Sequence, residues 1–503
     1  MKKFIAPLLV GAALSSAFAA DDLAKEVAAL KAQMAELQSA QSKMNVDALR
    51  AQVTEIKAHD AGDNIKWNVD FRTSYDVVDY KLNNAPDVSN GIWTNKLILG
   101  MGAQPADNLV FKGALGVYKA FGQTNMDQTS MFQGFDWYGT QKPGDSTIKL
   151  REAYFLYFGD MGDVHYSASF GRRPSVDGFM TNLRADNENP ASPVGHNINM
   201  EFDGASFKFD LDKLTGISGF YAKICLGRGF SDTTGSYASN GIGGFLPGYV
   251  KDTGNPNMDL AGLLVQFYDD GQYKVMANYF KGWNMMGANM GGSVVGYNID
   301  AFGQPDYTSP VVMPGMLGFV DVGDMTGGSL SLQVNGIGNN INDFLDDSIF
   351  FVSYAFNKTD PNTHMFGTPA GMTSGMLGSK DSETGSSVYT GLQLPGIMAG
   401  QRLGLEYNHG SKYWRSFTYG EDSLAGSKLS TRGDAYEIYY TLPLVGKHLT
   451  AQLSYVYMDY DYTGSDMFFG QTGTPMTQAQ AAAQGMNFVE SASNIRASIR
   501  YRY

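Results

Sequence analysis

Cysteine occurs once, at Cys225, in a chain of 503 residues. A single thiol excludes an internal disulfide framework and any cysteine-rich metal site. Apolar excess is also missing, with a mean hydropathy of −0.22. Beyond the first 19 residues no stretch approaches the roughly 20 apolar residues that a spanning helix needs. Basic residues are outnumbered, 37 Lys and Arg against 50 Asp and Glu, and a net charge of −13 argues against nucleic acid as a partner. Catalytic signatures are absent too: there is no G-x-S-x-G elbow, P-loop or H-E-x-x-H. The histidines (His59, His165, His196, His364, His409, His448) lack ligand spacing, and nothing completes a triad with His409 and Ser411. The chain reads as a non-enzyme that needs no metal or cofactor.

Glycine is abundant (60), and so are Tyr (29) and Phe (30), the composition of short alternating strands joined by loops. Residues 491–503 show the pattern most clearly. Ile495, Ala497, Ile499, Tyr501 and Tyr503 fall on one parity, and Asn494, Arg496, Ser498, Arg500 and Arg502 on the other. Period two makes a strand with one apolar and one polar face. In a soluble sandwich the apolar face would point inward. In a membrane barrel the senses reverse, placing the arginines in a wet lumen.

The same alternation begins at Ile65, Trp67, Val69 and Phe71. It predicts strands near 65–79, 93–104, 107–119, 147–159, 163–172, 202–211, 216–228 and 258–269, then 271–283, 327–335, 347–358, 385–394, 401–411, 433–443, 447–462 and 490–503. That is sixteen, with fourteen or eighteen as alternatives. Tight turns (104–107, 159–163, 269–271, 444–447) alternate with long connections (120–146, 173–199, 231–257, 284–326, 464–490). Short turns on one rim and long loops on the other is the arrangement of an outer-membrane barrel. The expected fold is an all-β transmembrane antiparallel barrel over 63–503, wide enough for an aqueous channel. An even count places both barrel ends on the periplasmic side. The last strand is expected to close against the first, setting Arg496, Arg500 and Arg502 beside Lys66, Asp70 and Arg72.

The first 62 residues differ. Lys2 and Lys3, an apolar run and Ala17-Phe18-Ala19 read as a secretory signal over 1–19. Leu23, Val27, Leu30, Met34, Leu37, Gln41 and Met44 then recur at heptad spacing within a helical segment over 20–62. So narrow a stripe either self-associates as a periplasmic coiled coil, with a trimer as the natural guess, or lies on or in the barrel as a single helix.

Alternation also sorts the charges. Lys66, Arg72, Lys96, Lys112, Lys149, Arg151, Lys223, Lys274, Arg496, Arg500 and Arg502 share the polar parity, against far fewer carboxylates such as Asp70, Glu406 and Glu437. An acidic chain thus has a basic barrel wall, which favours anions in a pore unless loop carboxylates neutralise it. The third long connection carries Arg172, Arg173, Asp177, Arg184, Asp186 and Glu188. Such opposed charges suit a loop folded inward as a pore constriction, or one paired with itself at the surface. Methionines around the longest loop could offer thioethers to a soft metal but read as flexible loop packing, and Asp459, Asp461 and Asp466 lack the full spacing of a calcium loop.

With an export signal, a coiled-coil start, alternating strands and a C-terminal aromatic, the chain resembles bacterial outer-membrane porins. More narrowly, Gly171-Arg172-Arg173-Pro174-Ser175-Val176-Asp177-Gly178 and Leu183-Arg184-Ala185 resemble an uncharacterised porin-like family with an N-terminal coiled coil, known mainly from epsilonproteobacteria. The resemblance implies a diffusion channel for small hydrophilic solutes and ions. It also implies contact with outer-membrane lipid and lipopolysaccharide, and recognition of the last strand by the barrel-assembly machinery. Two alternatives remain: an uptake channel specific for an oxyanion, sugar or hydrophobic compound, and a non-conducting structural or adhesive protein.

Overall fold

A computed structural model describes residues 65–122, 141–144, 146–174, 178, 180–186, 194–230, 233–234, 250–251, 257–299, 305–338, 341–362, 377–418, 423–466 and 474–503. The heptad residues Leu23 to Met44, and Asp177 and Glu188, lie outside the described residues.

Sixteen antiparallel strands close on themselves. In chain order they are β1 (Lys66–Leu82), β2 (Val88–Ala106), β3 (Leu109–Ala120), β4 (Lys149–Met161), β5 (Val164–Arg173), β6 (Phe202–Asp210), β7 (Tyr221–Phe230) and β8 (Met258–Asp269). Then follow β9 (Tyr273–Trp283), β10 (Gly323–Asn335), β11 (Ile349–Pro361), β12 (Thr384–Pro395), β13 (Arg402–Gly410), β14 (Gly433–Val445), β15 (Leu449–Tyr460) and β16 (Val489–Arg502). Each pairs with its chain neighbours and β16 pairs with β1, so no strand edge is left for lipid to meet. Among the described residues no helix is long and apolar enough to cross a membrane; the strands do the crossing.

The expected sense of burial holds. On β14, Tyr436 and Ile438 are exposed while Glu437 and Tyr439 are buried. On β16, Ile495 and Ile499 are exposed while Arg496 is buried. A barrel with its aliphatic and aromatic side chains outward and its charges inward is built for lipid. Leu453 stands on that outer face near the middle of β15, with Ser454 turned inward beside it. Leu453→Lys is expected to cost about 2–4 kcal/mol of stability in bilayers, as a cation does near the midplane. Ser454→Lys, directed at the lumen, is expected to cost far less, and urea unfolding of the two variants in vesicles compares them.

Turn chemistry sets one rim. Between β8 and β9, the Asp270 carboxylate accepts from the backbone N–H of Gln272 (2.9 Å) and Tyr273 (2.7 Å). Gly271 supplies the positive φ of 91° that this bend requires. Two expectations change. β2 begins at Val88, so the first connection is only 83–87. The stretch expected as a connection at 284–326 contains a separate hairpin, Met286–Ile299 paired with Pro305–Asp321.

Candidate functional site

The connection between β5 and β6 crosses the barrel interior. Its helical turn, Met180–Arg184, ends against strands on the far side of the ring. Helix C-termini leave carbonyls unsatisfied, and here the wall supplies the donors. Gln393 of β12 donates to the Leu183 carbonyl (3.0 Å) and Gln452 of β15 to that of Arg184 (2.9 Å). Arg500 and Arg502 of β16 both donate to the Ala185 carbonyl at 2.8 Å, and Arg502 also to that of Asp186 at 2.6 Å. Cations suit this end of the helix dipole. Arg184 itself reaches Glu437 of β14 at 3.2 Å. Met180, Leu183 and Val194 join Tyr221, Met276, Phe351 and Tyr389 in a dry cluster inside the barrel.

The loop's return limb is equally fixed. His196 lies buried between Ser353 of β11 (Nδ1, 2.8 Å) and Ser387 of β12 (Nε2, 3.1 Å). Ser387 donates onward to Asn408 at 2.9 Å, so it accepts from Nε2–H, which leaves Nδ1 as acceptor of the Ser353 hydroxyl. The neutral imidazole fits this chain, and burial lowers the His196 pKa from 6.5 to about 3. Docking is therefore fully stable above about 6.5 and weakens as pH falls towards 3. At pH 5 the weakening is about 2 kcal/mol, 1.5 units below the free value. The Trp414 ring lies against His196, tilted by 42°, with ring centroids 5.5 Å apart. Its emission, taken as the difference between the native chain and Trp414→Phe, is expected to shift to the red between pH 7 and 5, and His196→Gln should flatten that response.

The connection between β13 and β14 also folds inward, an arrangement that alternation could not reveal. Phe417 and Thr418 pair in parallel with Ile198 and Asn199 of the first loop. Trp414 donates to the Leu429 carbonyl (2.7 Å), and both residues are buried. Lys428, 1% exposed, inserts between Glu406 of β13 and Glu437 of β14. Tyr389 donates to Glu406 at 2.6 Å. The two loops and the inner faces of β9–β14 thus form a continuous packed body.

The opposite wall is wetter. Arg500, Arg72 and Lys96 stand opposite one another across β16, β1 and β2, with Tyr118 of β3 next in the row. Arg72 bonds the Tyr118 hydroxyl at 3.3 Å, and the Lys96 ammonium lies 5.1 Å from the Tyr118 ring centre. Asp70 is held by two bonds from Arg500, whose side chain keeps 22% of its surface exposed. Lys66, Lys112, Lys149 and Arg151 are half-buried on the inner faces of β1, β3 and β4.

Other expected residues take different places. The closing seam sets Arg500 opposite Arg72 and Arg502 opposite Asp70, but Arg496 faces Asp76, not Lys66. Asp76 is fully buried and bonded by Arg496 at 2.7 Å. Arg172 ties the loop's root to β4, donating to the Leu150 and Arg151 carbonyls at 3.1 Å, with Glu201 3.5 Å away. Arg151 pairs with Glu201 at 3.1 Å. Lys274 pairs with Asp269 at 3.1 Å near the opposite rim, and Lys223 is buried on β7. Arg173 lines a cavity beside β6–β9.

A family profile covers residues 87–503. The chain belongs to the family described as protein of unknown function, DUF3373. No curated protein matches this DUF3373 chain. Among solved structures it is similar to OmpT, an outer membrane protein of Vibrio cholerae, at 13% identity over 87% of this chain and 97% of that one, with a TM-score of 0.39. It is also similar to OprB of Pseudomonas putida, at 12% identity over 91% and 97% with a TM-score of 0.44. An anion-selective porin from Comamonas acidovorans matches at 11% identity over 87% and 100%, with a TM-score of 0.41.

Proposed function

We propose that this DUF3373 chain is an outer-membrane porin, a water-filled channel that passes small hydrophilic solutes and ions by diffusion and prefers anions. The observation that carries this is the asymmetry of the lumen. Around β9–β14 the inward side chains are buried, and so are His196, Trp414, Phe417 and Lys428 of the two loops, whereas Asp70, Arg151, Arg500 and Arg502 on the other side keep 20–25% of their side-chain surface exposed. The water path then runs between the inward loop and the walls of β16 and β1–β4. Arg184 and Asp186 belong to the loop that narrows it, and Arg72, Lys96, Lys112 and Arg500 to the basic face that selects. Arg172 and Arg496 hold the frame.

Residues 1–19 act as an export signal, and the helix over 20–62 joins copies into a periplasmic trimer through its Leu23–Met44 seam. The last strand meets the barrel-assembly machinery, and the outer face meets lipid and lipopolysaccharide. Planar-bilayer recording under a KCl gradient tests the reading. The expected result is stepwise ohmic conductance with a reversal potential on the chloride side. Purified barrels that insert but carry no current would overturn it.

A further inference from the structure

β8 departs from the pattern of its neighbours. β6 and β7 turn Ser206, Lys208 and Lys223 inward, whereas the inner parity of β8 reads Met258, Leu260, Gly262 and Leu264. Its outer parity, Ala261, Leu263 and Val265, is apolar too, as a lipid-facing row should be. Leu260 and Leu264 line a partly open cavity inside β6–β9 together with Ile198, Met200, Phe202 and Phe280. Its volume is about 100 Å³ within a concavity of about 730 Å³. Apolar cavities of this order, up to about 150 Å³, stay dry and admit xenon or benzene.

Polar groups at the cavity are engaged within the protein. Asn278 on the lining donates to Asn197 (3.0 Å) and Ser329 (2.8 Å) and accepts from Asn197 at 2.8 Å, so both its N–H groups and its carbonyl oxygen are used. Lys223 has interactions of its own. Lys208, opposite it in the ladder, pairs with Asp210 at 3.0 Å and lies 4.2 Å from the centre of the Tyr221 ring. An occupant bearing a charge would lose its hydration against walls that are mostly hydrocarbon. We infer that this cavity binds small neutral apolar molecules, up to the size of one aromatic ring, beside the water path. The inference rests on the porin reading for its access route, but the site itself is read by binding.

The chain carries its own reporter. Cys225 lines the same cavity and is the sole cysteine, so a small thiol reagent reads that position alone. Modification by methyl methanethiosulfonate is followed by mass on the full chain in lipid nanodiscs, with benzene as probe against glycerol and benzoate. Benzene at about ten times its Kd is expected to slow the reaction about tenfold, since only the vacant fraction reacts. Glycerol should leave the rate unchanged, and benzoate should need at least about tenfold more for the same protection. Gly262 stands opposite Cys225 in the ladder, and a Cβ there meets the Tyr279 carbonyl oxygen at 3.5 Å and the Phe280 Cβ at 3.7 Å, ordinary contacts. Gly262→Leu should therefore fill the cavity and remove the benzene effect while chloride conductance persists. Xenon-129 resonance of the native chain is a second measurement, expected to show a saturable bound signal that benzene displaces. Equal effects of benzene and glycerol, benzoate protecting as well as benzene, benzene protection undiminished in a folded Gly262→Leu, or no bound xenon would each overturn the site. Protection by benzene in a barrel that carries no current would leave the site standing and remove the porin reading instead.

Discussion

Replacing Lys428 by methionine is expected to release the loop between β13 and β14 from the lumen and raise single-channel conductance several-fold. The lysine is sealed from water, and its ammonium sits between two carboxylates that are themselves buried, Glu406 and Glu437. Glu437 keeps Arg184 as a partner, whereas Glu406 would retain the Tyr389 hydroxyl. Removing one member of a buried ionic group costs about 3–5 kcal/mol because the remaining charge is left without compensation. Undocking the loop lets water reach Glu406, so the cost is met by opening the lumen and not by unfolding the barrel. The double variant Lys428→Met with Glu406→Gln should restore much of the docking, since a neutral amide can still accept from Tyr389. Conductance and limited proteolysis of the loop on intact vesicles read the two variants together. If the loop of Lys428→Met stays protected and the current is unchanged, the Trp414 packing and the Phe417 pairing hold it without the ion pair.

Alternation was enough to place the barrel because lipid and lumen demand opposite chemistry from successive residues. Even a glycine-rich strand such as β10 remained visible through Leu330 and Leu332 set against Ser329 and Ser331. Where side chains are too small to show parity, the signal fails. The hairpin partner Met286–Ile299 reads M-G-A-N-M-G-G-S-V-V-G-Y-N-I, and its glycines erase the period. Parity names the face of a charge but not its partner, which register decides. Arg496 and Arg500 lie four residues apart on one face, yet the first is sealed onto Asp76 and the second reaches water beside Asp70. The inward fold of 411–432 depends on contacts such as Lys428 with Glu406 and Phe417 with Asn197, between segments that share no local pattern.

The double variant Arg72→Gln, Lys96→Gln is expected to move the reversal potential strongly towards potassium, and Asp70→Asn to move it the other way. These residues lie on adjacent strands at one height of the lumen, Arg72 directly opposite both Arg500 and Lys96. A unit charge acting on an ion about 6 Å away in water contributes roughly 0.7 kcal/mol. Two such charges therefore change local anion partition about tenfold, before screening. Screening is severe at high salt, where the Debye length falls to about 3 Å at 1 M, so the effect should grow as the gradient is shifted to lower concentrations. Asp70→Asn acts through Arg500, which loses the carboxylate it bonds twice but keeps the Ala185 carbonyl at 2.8 Å to hold it in place. Arg500 then faces the same water without that carboxylate. Opposite signs from the two variants are what a selecting wall requires. A shift of the same sign in both would mean that they disturb the loop docked on Arg500 and Arg502, and that charge at this height does not set the preference.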